Sequence, residues 1–337
     1  IRNSRRLLPE MIVKMQDKDL KTSSGLMSPD SPPSHRRRWL RTLNVTDAPG
    51  HTEDPHCGSI GHVLSFPESC RLAERYCFDA VNADRSFLRE QGPLRAVDLM
   101  KQHNLQPGAF AFSAAFNACY TDAEFEQSLT NFEKDLTLCR EADFKRCVGY
   151  VQPSSDRLDY YDHFTLLSGR LKRIKPLLEA YDVRLGLEFI GPTTMRVHRN
   201  FDFIHTMDGL RSLIAAACAQ HCVGLKLDAL HWYTSGAGLL DIEKLSPEEV
   251  VYVEINDGLK GDYDRFTLPE FQRELPLATG TVNLVGMLQK LDAMGFQGPV
   301  VVEPWNAPLR EMRPEEAVKT VKLALDSCLD QAGINDC

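Results

Sequence analysis

The chain has 337 residues, 43% of them hydrophobic, and a formal net charge of −8. That is apolar material for a large core, and the acidic balance argues against the basic footprint of a nucleic-acid surface. Ten cysteines without one C-x-x-C pair argue against a zinc knuckle or dithiol redox site, and no apolar run reaches the ~18 residues of a membrane span. The thiols read as the reduced, buried cysteines of a cytoplasmic protein.

Residues 1–52 read as a disordered extension. They combine lysines and arginines, the run Arg36, Arg37, Arg38 and the proline- and serine-rich stretch 28–33. Such sequence cannot bury enough apolar surface to offset its ordering entropy. An organelle-targeting leader is the second reading, weakened by Asp17, Asp19 and Asp30. Residues 53–337 then read as one domain of alternating strands and helices. The predicted strands are 59–63, 78–81, 108–112 and 146–151, with helices from 67, 94–103, 122–142 and 160–181 between and after them. Four further apolar runs begin at Arg184, Val223, Val250 and Pro299, with helices at 207–221, 242–245, 284–294 and 314–332. Strand–helix alternation of this spacing predicts a parallel sheet. Eight units predict a closed (β/α)8 TIM barrel; the open doubly wound sheet is the alternative, but no G-x-G-x-x-G follows the first strand.

The last four strands share a form. Each is a short apolar run, as expected of a strand buried on both faces, and each ends on or near a carboxylate: Glu188, Asp228, Glu254 and Glu303. A barrel opens the carboxyl ends of all its strands on one face, so these acids are expected to converge although far apart in sequence. Any one of them alone reads as a barrel-mouth acid paired to a lysine or arginine. Four together repel, and a divalent cation is the usual remedy. Oxygen donors suit Mn²⁺ or Mg²⁺, with Zn²⁺ or Co²⁺ as alternatives.

These residues carry a resemblance. The stretches Leu187-Glu188-Phe-Ile-Gly-Pro, Leu225-Lys-Leu-Asp228-Ala-Leu-His231-Trp, Val253-Glu-Ile-Asn-Asp-Gly258 and Val302-Glu303-Pro-Trp-Asn306 resemble the xylose isomerase-like TIM-barrel superfamily, in its branch of sugar isomerases and epimerases. The resemblance implies that Glu188, Asp228 and Glu303 are metal ligands. It further implies that Glu188 and Glu303 exchange a proton with a carbon of a small sugar-like substrate, through an enediolate. His231 matches a residue that binds substrate oxygen. Glu254 departs from the pattern, because relatives place a histidine ligand there; as an oxygen ligand it adds one negative charge. Lys260 stands where relatives use an arginine for substrate oxygens, and offers a point charge without the fork. Asn82 stands where the second strand often ends in glutamate.

His62 after the first strand, Gln152 after the fourth and Trp305 after the last are expected at the mouth as substrate contacts. Trp232, Arg196, His198 and His205 are weaker candidates. The expected activity is metal-dependent isomerisation or epimerisation of a sugar or polyhydroxylated keto compound. A dehydratase or lyase of the 3-dehydroshikimate or inosose type shares the same first step. A non-catalytic barrel with a decayed metal site is the alternative that Glu254 raises. A DNA-repair role of the endonuclease IV kind lacks the histidines and the positive surface. A homo-oligomer is expected, with neither nucleic acid nor membrane as partner.

Overall fold

The computed structural model describes residues 39–45 and 59–334. Eleven strands are present among them: β1 (Trp39–Leu43), β2 (Ala80–Val81), β3 (Gln106–Pro107), β4 (Phe110–Ala111), β5 (Arg146–Val151), β6 (Ser154–Ser155), β7 (Arg184–Phe189), β8 (Phe201–Asp202), β9 (Val223–Asp228), β10 (Val250–Ile255) and β11 (Gly298–Val302). Nine form one parallel sheet in the order β3-β2-β1-β11-β10-β9-β7-β5-β4. Its two ends, β3 and β4, are halves of a single run. Gly108 N donates to Val81 O on one side, and Phe112 N donates to Val148 O on the other. The run 106–112 thereby closes the sheet, and the fold is the TIM barrel that the alternation predicts. The short antiparallel pair β6 and β8 ties the loop after β5 to the loop after β7.

Strand parity separates two environments. Leu185, Leu187, Leu225, Leu227, Val253, Ile255, Val300 and Val302 join the large core between sheet and helices. Ala109, Tyr252 and Val301 form a separate small cluster with Val148, which fills the barrel interior. Successive side chains on a strand point to opposite faces. Residues in step with Tyr252 and Val301 therefore face inward: Glu188, Lys226, Asp228, Glu254 and Glu303. This is why the runs read as continuously apolar until a polar inward residue interrupts them.

The helices follow their local signals. Thr121 and Glu124 form a reciprocal capping box that starts the helix Asp122–Glu141. Asp159 caps Tyr160–Ala180. The predicted helix at 207–221 is shorter, Met207–Ala216, and two short helices, Ala229–Thr234 and Ala307–Glu311, follow β9 and β11 unannounced by any long period. No described helix is long and apolar enough to cross a membrane.

The first strand is a correction. The expected strand at 59–63 is a turn, and Gly61 sits there at φ +84°, outside the extended region, pressed so close to Arg310 that a Cβ would overlap it. The barrel instead begins at Trp39, inside the expected extension. β1 pairs with β11 and β2. The adjacent arginine run and its own Arg41 disguise it, yet Arg41 is ion-paired to Asp79 and Asp326 while Trp39 Nε1 donates to Asp292. The rest of the expected extension, 1–38 and 46–52, lies outside the described residues.

Candidate active site at the carboxyl end of the barrel

Register brings the acids together. Glu254 is the lateral partner of Asp228 on β9 and of Val301 on β11, and Glu188 pairs with Tyr150 of β5. Glu303 follows β11 directly, its backbone N donating to Ile255 O. Asp228, Glu254 and Glu303 each place a carboxylate oxygen within 4.8 Å of the others, and Glu188, Asp228 and His231 form a second such group. All five residues are buried.

Cations are threaded among them. Lys226 Nζ lies 3.2 Å from Glu188 Oε2 and 2.9 Å from Glu254 Oε2. Arg273 Nη1 reaches Asp228 Oδ2 at 3.0 Å and Glu303 Oε2 at 3.2 Å, and its Nη2 donates to Glu270 Oε1 at 2.5 Å. Asn256 Nδ2 donates to Asp228 Oδ2 at 2.6 Å, and the other oxygen, Oδ1, accepts from the backbone of His231 at 2.9 Å. Asp228 thus caps the short helix that carries His231, which fixes both side chains at once.

His231 is aimed by a close approach. Gly191, after β7, lies so near the helix Ala229–Thr234 that a Cβ would overlap His231 O and Thr234 Oγ1. Its N–H points at His231 Nδ1 at 3.3 Å, which turns Nε2 toward Glu270 at 3.4 Å and Glu188 at 3.6 Å. Burial opposes charging the ring, but Glu270, Asp228 and Glu188 outweigh it and push the imidazole up to about 9. The Gly191 contact favours a neutral ring instead; at 3.3 Å it is the weaker influence. Arg273 Nη2 also lies 3.4 Å from Nε2, and the charged ring, which can donate to Glu270 and Glu188, is the form the carboxylates favour.

The carboxylates respond to burial first. Desolvation raises Glu188 to about 7, against the pull of Lys226 and His231. Burial and Glu303 push Glu254 upward, and Lys226 opposes them. Burial would lower Lys226, yet Glu188, Glu254 and Glu303 together hold it well above its usual value. We take Lys226 and Glu254 as an ionised pair, because the ammonium also serves Glu188. Arg273 is likewise held above its usual value by Glu270, Asp228 and Glu303 against its burial.

The cluster fits a divalent cation. Five carboxylates, counting Glu270, outnumber Lys226, Arg273 and a charged His231 by two. Among the described residues, Asn256 Oδ1 is buried without a hydrogen bond, Glu188 Oε1 meets only His231 Nε2 at 3.6 Å, and Glu254 Oε2 has only the ammonium beside it. Unpaired buried oxygens in an excess of negative charge are what a hard cation neutralises.

The other expected contacts are placed differently. His62 Nε2 is bonded to Leu309 O, on the loop helix that follows β11. Gln152 is half-buried at the end of β5, its backbone held by Asn117 Oδ1 at 2.8 Å. Trp305 is buried at φ +40°, edge-on to Phe271. Lys260 is exposed, and the guanidinium in the site comes from Arg273. Trp232 packs in the core and donates to Gly238 O; Arg196 braces the loop after β7 through Gly191 O; His198 is exposed; His205 Nδ1 lies 2.7 Å from Phe203 O.

Four residues of the site escaped the sequence reading as site residues. Lys226 had a signal: a lysine two positions before Asp228, on the inward parity of an apolar strand. Asn256, two after Glu254, had the same one. Glu270 and Arg273 lie on the irregular segment after β10 and had none. That segment is pinned by Asp257, whose carboxylate accepts from the N–H groups of Gly258, Thr279, Gly280 and Val282.

Comparison with known proteins agrees with this architecture. The family model described as xylose isomerase-like TIM barrel matches residues 70–328. The chain belongs to that family. Among curated members, an inosose isomerase of Halalkalibacterium halodurans is 28% identical over 152 residues, 45% of this chain and 50% of that enzyme. The match thus spans about half the length of this relative. Among solved structures, a xylose isomerase domain protein from Alicyclobacillus acidocaldarius superposes with a TM-score of 0.73 at 24% identity, covering 88% of this chain and 99% of that one. An IolI protein with a bound zinc atom superposes at 0.70 and 17% identity, covering 87% and 99%. These two likenesses concern the fold of the family.

Proposed function

We propose that this family member is a divalent-metal-dependent isomerase or epimerase of a sugar or a similar polyhydroxylated keto compound. The observation that carries the reading is the convergence of Glu188, Asp228 and Glu303, from three separate strand ends, on one buried cluster. Glu188, Asp228, Glu254 and Glu303 would hold the ion, with Mn²⁺ or Mg²⁺ the best match to oxygen donors. When bound, it supplies polarisation of the substrate carbonyl.

The remaining work falls to the chain. Glu188, buried at the end of β7 with Lys226 and His231 beside it, would take a proton from the carbon next to the carbonyl. Glu303, with Arg273 on one of its oxygens, would return a proton to the enediolate after taking one from water, and Glu188 would then pass the substrate proton to solvent, so that both carboxyl groups are reset. The protonated Nε2 of His231 is a donor for a substrate oxygen. The relative named as an inosose isomerase supports a cyclic or open-chain polyol ketone as substrate class.

The test is exchange of substrate hydrogen with solvent. Keto-sugars and inososes are incubated in D₂O with the protein and Mn²⁺, and deuterium at the carbon next to the carbonyl is followed by NMR. Exchange that falls by about 10²–10⁴-fold in Glu188→Gln and in Glu303→Gln supports the reading. Net loss of water from the substrate would move the assignment to a dehydratase. A second reading, a barrel whose metal site has decayed, is favoured by Lys226 and Arg273, which between them touch all four expected ligands. Wild-type protein that binds no Mn²⁺ and exchanges no hydrogen would establish that one instead.

A further inference from the structure

Lys226 takes no part in the proton transfer above, yet it occupies the middle of the site. It follows Leu225 and precedes Leu227, both packed toward the helices, so its own side chain runs inward beside Tyr252, its partner on β10. It is 8% exposed. An ammonium so placed survives only if it is paired, because an isolated buried charge costs several kcal/mol.

The pairing is not symmetric among the acids. Arg273 serves Asp228, Glu303 and Glu270, and His231 faces Glu188 and Glu270. Among the described residues, the only cation within ion-pair distance of Glu254 is Lys226, at 2.9 Å. Glu254 is also the position at which the site carries one carboxylate more than a neutral fourth ligand would bring. A buried acid and a buried internal lysine thus meet on adjacent strands.

We propose that Lys226 and Glu254 form a compensating pair, in which the ammonium cancels the charge of the carboxylate and gives the site the electrostatics of a neutral ligand at that position. The inference rests on the metal reading above. Lys226 is a positioning residue: it acts through Glu254, and it sets how strongly the remaining acids hold a cation. Two unit charges this close interact strongly at any dielectric found inside a protein, so removing either one must shift cation affinity, in opposite directions.

The experiment is Mn²⁺ binding to the full chain, by calorimetry and by the EPR signal of free Mn²⁺, with thermal melts as a folding check. Lys226→Met removes a competing cation and is expected to tighten binding by about tenfold or more. Glu254→Gln leaves the ammonium uncompensated and is expected to weaken it by about tenfold or more. The double variant, Lys226→Met with Glu254→Gln, restores the balance and is expected within about threefold of wild type, because the gain of one charge removal and the loss of the other cancel. A double variant as weak as Glu254→Gln would overturn the proposal, since the amide keeps an oxygen donor and the loss would then not be one of balanced charge. So would a Lys226→Met variant with unchanged affinity. If either single variant does not fold, because one buried charge is stranded, the double variant alone decides by the same threefold and tenfold limits. Absence of Mn²⁺ binding by wild type overturns this inference together with the metal reading; binding by wild type without cancellation in the double variant overturns this inference only.

Discussion

The two halves of the barrel are built alike and equipped differently. From β7 to β11 the ring strands are five or six residues long and carry Glu188, Lys226, Asp228, Glu254 and Glu303 inward or just past their ends. From β2 to β4 they are two residues long, and what they offer the interior is small or neutral: Asn82, Ala109 and, on β5, Val148. Asn82 shows the contrast best. Its Nδ2 donates to Tyr252 at 2.7 Å and its Oδ1 accepts from Ala109 N at 2.9 Å, so it stitches the closing run 106–112 to the far wall of the barrel. The first half closes the ring. The second half holds the charge.

That division can be broken at its strongest point first. Asp228→Asn removes the acid shared by both ligand groups while leaving an isosteric side chain. We expect it to lower Mn²⁺ affinity by about a hundredfold or more, since even outer partners of a metal site are worth 10–100-fold. Calorimetry reads this directly, and a loss of only a fewfold would show that the charge in the second half is structural. His163 comes next. It lies within the helix Tyr160–Ala180 after β5, fully buried, stacked on Phe203 with centroids 3.6 Å apart, and neither ring nitrogen has a hydrogen-bond partner among the described residues. Burial first, then Arg170, lowers it from 6.5 to about 4. The unfolded chain therefore binds a proton that the folded chain refuses between pH 6.5 and 4, and stability falls as pH drops through that window. The loss approaches about 3 kcal/mol, at about 1.4 kcal/mol per pKa unit, and a His163→Phe variant should flatten this part of a denaturation series against pH. Asn82→Ala sharpens the comparison from the quiet side. It strands a buried tyrosine hydroxyl and a backbone N–H, and is expected to cost about 2 kcal/mol in urea unfolding with Mn²⁺ affinity within about threefold of wild type. A large change in affinity would mean that the closing run also shapes the metal site.

Much of this was legible in the residues before any folding. A run such as Val223 to Asp228, apolar on both parities until a charge intrudes, can only be a strand enclosed on both faces, and repetition of that form announces a ring. The acids at the strand ends could be read one by one for the same reason. β1 could not, because the strand lies beside Arg36–Arg38 and its Arg41 looks solvent-bound until Asp79 and Asp326, distant in sequence, are brought to it.

What the sequence by itself determined was therefore periodic: which of the segments after the first are strands, that they enclose a barrel, and that four carboxylates stand at the ends of the last four. Tertiary structure decided what those carboxylates meet. Arg273 and Glu270 arrive on a segment whose path depends on the four N–H groups gathered by Asp257 rather than on any repeat. Lys226 acquires its partner only when β9 and β10 align with a bulge at Val250 and Tyr252, which sets Glu254 beside Asp228. Local periodicity encodes the elements because it depends on neighbours along the chain; charge pairing depends on neighbours in space, and closure of the ring is what creates them.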